Sequence, residues 1–146
     1  MLNKNLENND LKRLKEAIQI AKQIRKQCEI IAPYSDLQCW CGIASCALSK
    51  ALTKKGISNK IIFGEFRRTK NERGDDHCCI LVGDKIIDIT ATQFGISRSV
   101  YVVSSNNYSY KYFNAIKGLR SFFRTWPSDQ KPRKKLIEKI AKTDRK

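Results

Sequence analysis

Across residues 9–31 the apolar side chains Leu11, Leu14, Ala17, Ile18, Ala21, Ile24, Cys28 and Ile31 recur at steps of three and four, with lysine, arginine and glutamine between them. That period places them on one stripe of an α-helix, so the segment reads as an amphipathic helix with its stripe against the core. Asn9 or Asp10 is the expected cap, and Pro33 closes the helix because the residue before a proline avoids helical backbone angles. A second helix is predicted from Cys41 to Lys54 or Lys55, with Ala44, Ala47, Leu48, Ala51 and Leu52 on one face and Gly56 in the position that ends a helix. After Gly56 the period becomes strand-like. KIIFGEF (60–66) reads as a buried strand and RRTKNERGDD (67–76) as a solvated loop. HCCILV (77–82), Gly83-Asp84 and KIIDIT (85–90) form a hairpin signature, and SVYVVS (99–104) supplies a further short strand. Residues 108–124 mix aromatic and basic side chains, with a helix expected in their second half. Trp126-Pro127 and the cluster Tyr108, Tyr110, Tyr112 and Phe113 read as a satellite core rather than a base-stacking platform.

A chain of 146 residues has the length of one domain and can bury a real core without disulfides or metal. The division expected is one domain over 1–130, its chemistry concentrated in 36–95, followed by a basic tail or short helix over 131–146. That last stretch holds eight Lys or Arg against two acidic residues. Over the whole chain 29 Lys and Arg face 14 Asp and Glu, a net +15 that attracts nucleic acid, anionic headgroups or an acidic protein partner. No apolar run approaches the ~20 residues of a membrane span.

Six cysteines occur, at 28, 39, 41, 46, 78 and 79. Cys78 and Cys79 are adjacent on a predicted strand and point to opposite faces, while Cys46 sits among Ala and Leu as a small apolar filler. MLNKNLENND carries no apolar signal region. A reducing, cytoplasmic compartment is the expectation, with delivery into another cell left open.

Three residues then stand out together. A helix opening at Cys41 aims N–H groups and the positive end of its dipole at the sulfur, which favours thiolate. His77 is the lone histidine of the chain, hence the one side chain with an ordinary pKa near neutrality. The hairpin brings Asp88 towards His77, where a carboxylate fixes the imidazole tautomer and stabilises its cation.

The series C-x-x-x-S-x-A-L at 41–48, Gly-Ile at 56–57, Gly64 closing a strand, His77 after a polar loop and D-I-T-A-T-Q-F from Asp88 resembles the transglutaminase-like branch of the papain-like cysteine enzymes. That branch includes small stand-alone bacterial proteins such as the leader peptidases of lasso-peptide pathways. The resemblance implies an α+β, papain-like fold with N-terminal helices packed on an antiparallel sheet. It implies a nucleophile at Cys41, a general base and acid at His77 and an orienting carboxylate at Asp88. Cys39 is the rival nucleophile, since Q-C-W at 38–40 echoes the "G-Q-C-W" of true transglutaminases, but the interval to Gly56 favours Cys41. Cys79 stands where the family commonly has an aromatic residue. The implied activity is acyl transfer on a protein or peptide substrate, as peptidase, amidase or glutamine deamidase, in a processing peptidase or a toxin or effector. Gln38 and Gln93 are the side chains offered for oxyanion or substrate binding. No cofactor is implied.

Two other readings use the same residues. Cys39, Cys41, His77 and Cys78 or Cys79 are zinc-ligand types, yet C-x-C and H-C-C lack the spacing that wraps a structural zinc, so no metal is expected. The other is a catalytically idle module whose basic surface binds nucleic acid or an acidic protein.

Overall fold

A computed structural model describes residues 2–33, 36–38, 40–115 and 130–142. In chain order it contains α1 (Leu2–Ile31), α2 (Cys41–Lys54), β1 (Lys60–Phe66), β2 (Asp75–Val82), β3 (Lys85–Asp88), a 3-10 turn (Ala91–Phe94), β4 (Tyr101–Ser104), β5 (Tyr110–Ala115) and α3 (Gln130–Ala141). The class is α+β. Five strands form one antiparallel sheet in the order β4-β3-β2-β1-β5, and the helices supply the other layer of the main core.

Helix α1 starts at Leu2, so Asn9 and Asp10 are not caps but exposed positions inside the helix. Asparagine and aspartate cost a helix interior only up to ~0.7 kcal/mol each relative to alanine, and no glycine or proline interrupts this stretch. The stripe is also shorter than its period suggests. Ala17, Ile20, Ala21, Ile24 and Cys28 are buried, while Leu11 is 52% exposed.

Helix α2 has the expected bounds but not the expected single face. Residues 42–48 are buried in succession, because α1, α3 and strands β1 and β2 all pack on it. Its end follows the Schellman pattern: Gly56, at φ +75°, donates its N–H to Thr53 O (3.0 Å), and Ile57 donates to Leu52 O (2.9 Å). Ile57 and Leu52 are buried in the same core cluster. Helix α3 forms within the basic C-terminal stretch and seats Ile137 and Ile140 in that cluster.

Strand β1 alternates rather than being buried throughout: Ile62, Gly64 and Phe66 are inside and Phe63 is 40% exposed. It runs two residues past Gly64, and β2 starts two residues before His77, because Glu65 and Phe66 pair with Asp76 and Asp75. Main-chain pairing needs no apolar side chain, so the polar run conceals it. The hairpin turns at Gly83 (φ +60°) with Val82 opposite Lys85, and β3 stops at Asp88 rather than continuing to Thr90. Strand β5 replaces part of the expected aromatic satellite and pairs with β1. The predicted helix over 116–124 and Trp126-Pro127 lie outside the described residues, as do the side chains of Tyr112 and Phe113.

The sheet's second face carries a smaller cluster of Ile62, Phe66, Cys79, Ile86, Phe94 and Tyr110. His77 sits among its rings, edge-on to Phe66 (5.8 Å) and Phe94 (4.9 Å).

Candidate active site

Cys41 is the first residue of α2, and Trp40 precedes it without a side-chain capping bond. The turn into the helix is held by the Trp40 N–H on Leu37 O (3.0 Å), with Leu37 buried at φ +60°. A non-glycine residue in the left-handed region persists where its surroundings fix it, here a fully buried leucine side chain. Cys41 itself is partly buried, whereas His77 and Asp88 are shut away from solvent.

Continuing the β2–β3 register by one step sets Asp88 opposite Cys79, on the face that also carries His77. His77 Nε2 lies 2.6 Å from Asp88 Oδ2. A carboxylate oxygen only accepts, so Nε2 carries the hydrogen and Nδ1 is the nitrogen left for a further partner. Gln93 meets it with its amide nitrogen 3.5 Å from Nδ1, and the Cys41 sulfur interacts closely enough with the ring to raise its pKa. Asp88 is fully engaged. The Thr90 N–H donates to Oδ1 (3.0 Å), the Thr90 hydroxyl lies 3.4 Å from the same oxygen, and the Tyr110 hydroxyl donates to Oδ2 (2.7 Å).

Tyr110 is a site residue that the sequence pattern assigned to packing. It belongs to β5, three strands from Asp88 in sheet order. In a flat sheet, three spacings of about 4.8 Å would hold their main chains ~14 Å apart. The 2.7 Å contact therefore requires a strongly curled sheet, with the site inside the curl.

The charges follow from these contacts. Hydrogen bonding by the Cys78 thiol is the largest influence on Cys41 and lowers its pKa; burial opposes it, and the hydrogen bond and charge of His77 lower it further. The sum holds Cys41 well below the ordinary thiol value. Burial disfavours a charged His77, but the Asp88 carboxylate and the Cys41 sulfur outweigh it and push its pKa up to about 10. Asp88 stays below the usual carboxylate range: burial raises it, and His77, Tyr110 and the Thr90 N–H pull it down. A thiolate–imidazolium pair is the charge state these shifts favour at neutral pH. Cys28 and Cys46 are pushed up to about 12 by burial and stay protonated at neutral pH.

Arg25 is the second residue the sequence pattern hides. It is 4% exposed, and its Nη1 donates to Ile89 O (2.7 Å) and to Thr92 Oγ1 (2.8 Å). Thr92 in turn donates its hydroxyl to Asp36 O (2.8 Å), and Asp36 Oδ1 accepts the Gln38 N–H (3.1 Å). One guanidinium thus ties α1 to the segment after Asp88 and, through Thr92, to the loop before Cys41. The spacing 21, 25, 28 already puts residue 25 on the buried stripe.

Of the remaining expected site residues, Gln38 is exposed on that loop, and Cys39 lies outside the described residues. Among the described residues no group of three or more His, Cys, Asp or Glu side chains gathers as a metal site would require. No helix among them is long and apolar enough to cross a membrane. Comparison with models of protein families, with curated proteins and with solved structures finds no match to this chain.

Proposed function

We propose that this chain is a cysteine-dependent acyl-transfer enzyme of transglutaminase-like, papain-like type, acting on amide bonds of a protein or peptide. The observation that carries this reading is His77 held by Asp88 at 2.6 Å through Nε2, beside a Cys41 thiol whose pKa the ring helps to depress. In the proposed reaction the Cys41 thiolate adds to a carbonyl carbon. The oxyanion is met by the Cys41 N–H, which the helix leaves unsatisfied, with the Gln38 or Gln93 amide as a further donor. His77 gives the Nδ1 proton to the leaving amine, and the thioester is resolved by water or an amine that returns a proton to His77. Asp88 keeps the ring oriented and its cation stable throughout.

The loop between β1 and β2 supports an acidic substrate. Arg68 donates to Phe94 O (2.9 Å), next to the ring that flanks His77, and Arg67, Lys70 and Arg73 share its loop. The five described cysteines are all free thiols, which supports a reducing compartment.

The test is the pH dependence of Cys41 alkylation by iodoacetamide. Reaction is expected with its midpoint well below pH 9 and is expected to shift towards that of an ordinary thiol in His77→Gln. A wild-type Cys41 that reacts only like an unperturbed thiol overturns the reading, whatever the variant does.

The net charge of +15 and the exposed Lys134, Lys135, Lys139 and Lys142 on and just after α3 favour a second reading, a module that binds nucleic acid or an acidic protein. It predicts duplex binding that falls steeply with salt and is indifferent to Cys41→Ser.

A further inference from the structure

The H-C-C motif holds a second thiol that the acyl-transfer reading leaves unused. Cys78 follows His77 on β2 but points the other way, into the core shared with α2, where it is completely buried. Two contacts bring it to the nucleophile. Cys41 packs against the core cluster that contains Cys78, and each thiol is the largest influence on the other's pKa. One helical turn along α2, Ser45 donates its hydroxyl to Cys78 O at 3.2 Å. Residues 41 and 45 are four apart and share a helix face, so the Ser45 bond independently sets that face of α2 against the main chain of Cys78. Cys79, by contrast, lies in the cluster on the opposite face.

We infer that Cys41 and Cys78 form a reversible disulfide when the protein meets a peroxide, a redox control of the site that rests on the reading of Cys41 as the nucleophile. In the first step the Cys41 thiolate attacks the peroxide O–O bond, giving a sulfenic acid at Cys41 and releasing hydroxide. In the second, the Cys78 sulfur displaces the sulfenic hydroxyl as the S–S bond forms, and the Cys78 proton leaves with it as water. Summed over both steps, one thiolate, one thiol and one peroxide give one disulfide, one water and one hydroxide, with the oxidising equivalents coming from the peroxide alone. The order is fixed by access and charge. Cys41 is the partly exposed, ionised sulfur, and Cys78 is a buried neutral thiol with nothing to react with until its neighbour is oxidised. The disulfide removes the nucleophile and protects it from sulfinic and sulfonic acid, which thiols do not reverse.

The full-length reduced protein is treated with limiting hydrogen peroxide, denatured in N-ethylmaleimide and digested with trypsin. Cys41 lies in the peptide 27–50 and Cys78 in 74–85. The expected product is these two peptides joined, with fragmentation assigning the bond to 41 and 78. Alkylation of native Cys41 should be lost with the same time course and restored by dithiothreitol. In Cys78→Ser, treated with excess peroxide, the loss should resist dithiothreitol, as a second equivalent of peroxide takes the Cys41 sulfenic acid to sulfinic acid. Cys41 paired with Cys39 inside one peptide, or oxidised beyond sulfenic acid while Cys78 remains free to N-ethylmaleimide, overturns the inference and leaves the acyl-transfer reading standing. A Cys41 that reacts with neither peroxide nor low-pH iodoacetamide overturns both. The wild-type peptide map decides even if the variant fails to fold.

Discussion

Replacing Tyr110 by phenylalanine removes one hydroxyl and almost nothing else. The ring keeps its edge contact with Phe66, at 5.2 Å between centroids, and the vacated space is smaller than a methyl group. What is lost is a 2.7 Å donor to a carboxylate that is 1% exposed, leaving Asp88 Oδ2 with His77 alone. Hydrogen bonds to charged groups contribute about 1.5–3 kcal/mol. In a domain of this size each kcal/mol shifts the melting temperature by roughly 3–5 °C, so Tyr110→Phe should lower Tm by about 5–15 °C at pH 7. Urea titration should give the same loss with an unchanged slope. The pH dependence identifies the acceptor. Asp88 has a folded pKa below its ordinary 3.8, so its contribution is present above that value and disappears as pH falls through the folded pKa. The gap between wild type and variant should close over that acidic range. Tyr108→Phe is the control: Tyr108 is 45% exposed and donates to a neutral carbonyl, Arg68 O, so its loss should stay within about 0.5 kcal/mol. If Tyr110→Phe is as stable as wild type at pH 7, the hydroxyl does not serve an ionised Asp88, and the charge state derived for the site is wrong.

Ile140→Ala, at a position with no exposure in α3, should cost about 2–5 kcal/mol by urea unfolding; a loss under 1 kcal/mol would mean that α3 does not stay docked on α2. Gly56→Ala meets no atom within 4 Å, so the expected loss of about 1–2 kcal/mol in the same assay comes wholly from the φ of +75°. Stability against pH, followed by urea midpoints, should be nearly flat from about 6.5 to 9. Raised His77 favours folding below 6.5 and loses its effect as pH climbs through about 10, while depressed Cys41 gains effect up to 9, so folded and unfolded chains bind equal protons between. Cys41→Ala removes the compensating group, and its stability should decline with pH from about 6.5; a matching slope in wild type would refute the ion pair.

The parts legible in the sequence are those fixed by local rules. The bounds of α2 follow from a helix-start cysteine and a glycine that reverses the chain, and the two-residue turn sets Asp88 on the face it shares with His77. What escaped depends on contacts distant in sequence. Tyr110 reads as one aromatic among several because its role needs a curl that no local pattern encodes. Strand β5 is hidden because Phe113 and Asn114 reverse the alternation that Tyr110, Lys111 and Tyr112 begin. Arg25 reads as polar surface because lysines and glutamines surround it, although its phase is that of the buried stripe. The early start of α1 escaped since its first residues have no apolar period to announce a helix.

The Tyr110–Asp88 bond spans from an edge strand to the far side of the sheet, with His77 on the strand between. Opening the curl would separate the carboxylate from the tyrosine and expose the imidazole in a single event. The groups assigned to chemistry thus also help to hold the sheet curled. Thiol reactivity at position 41 therefore doubles as a gauge of whether the sheet is shut.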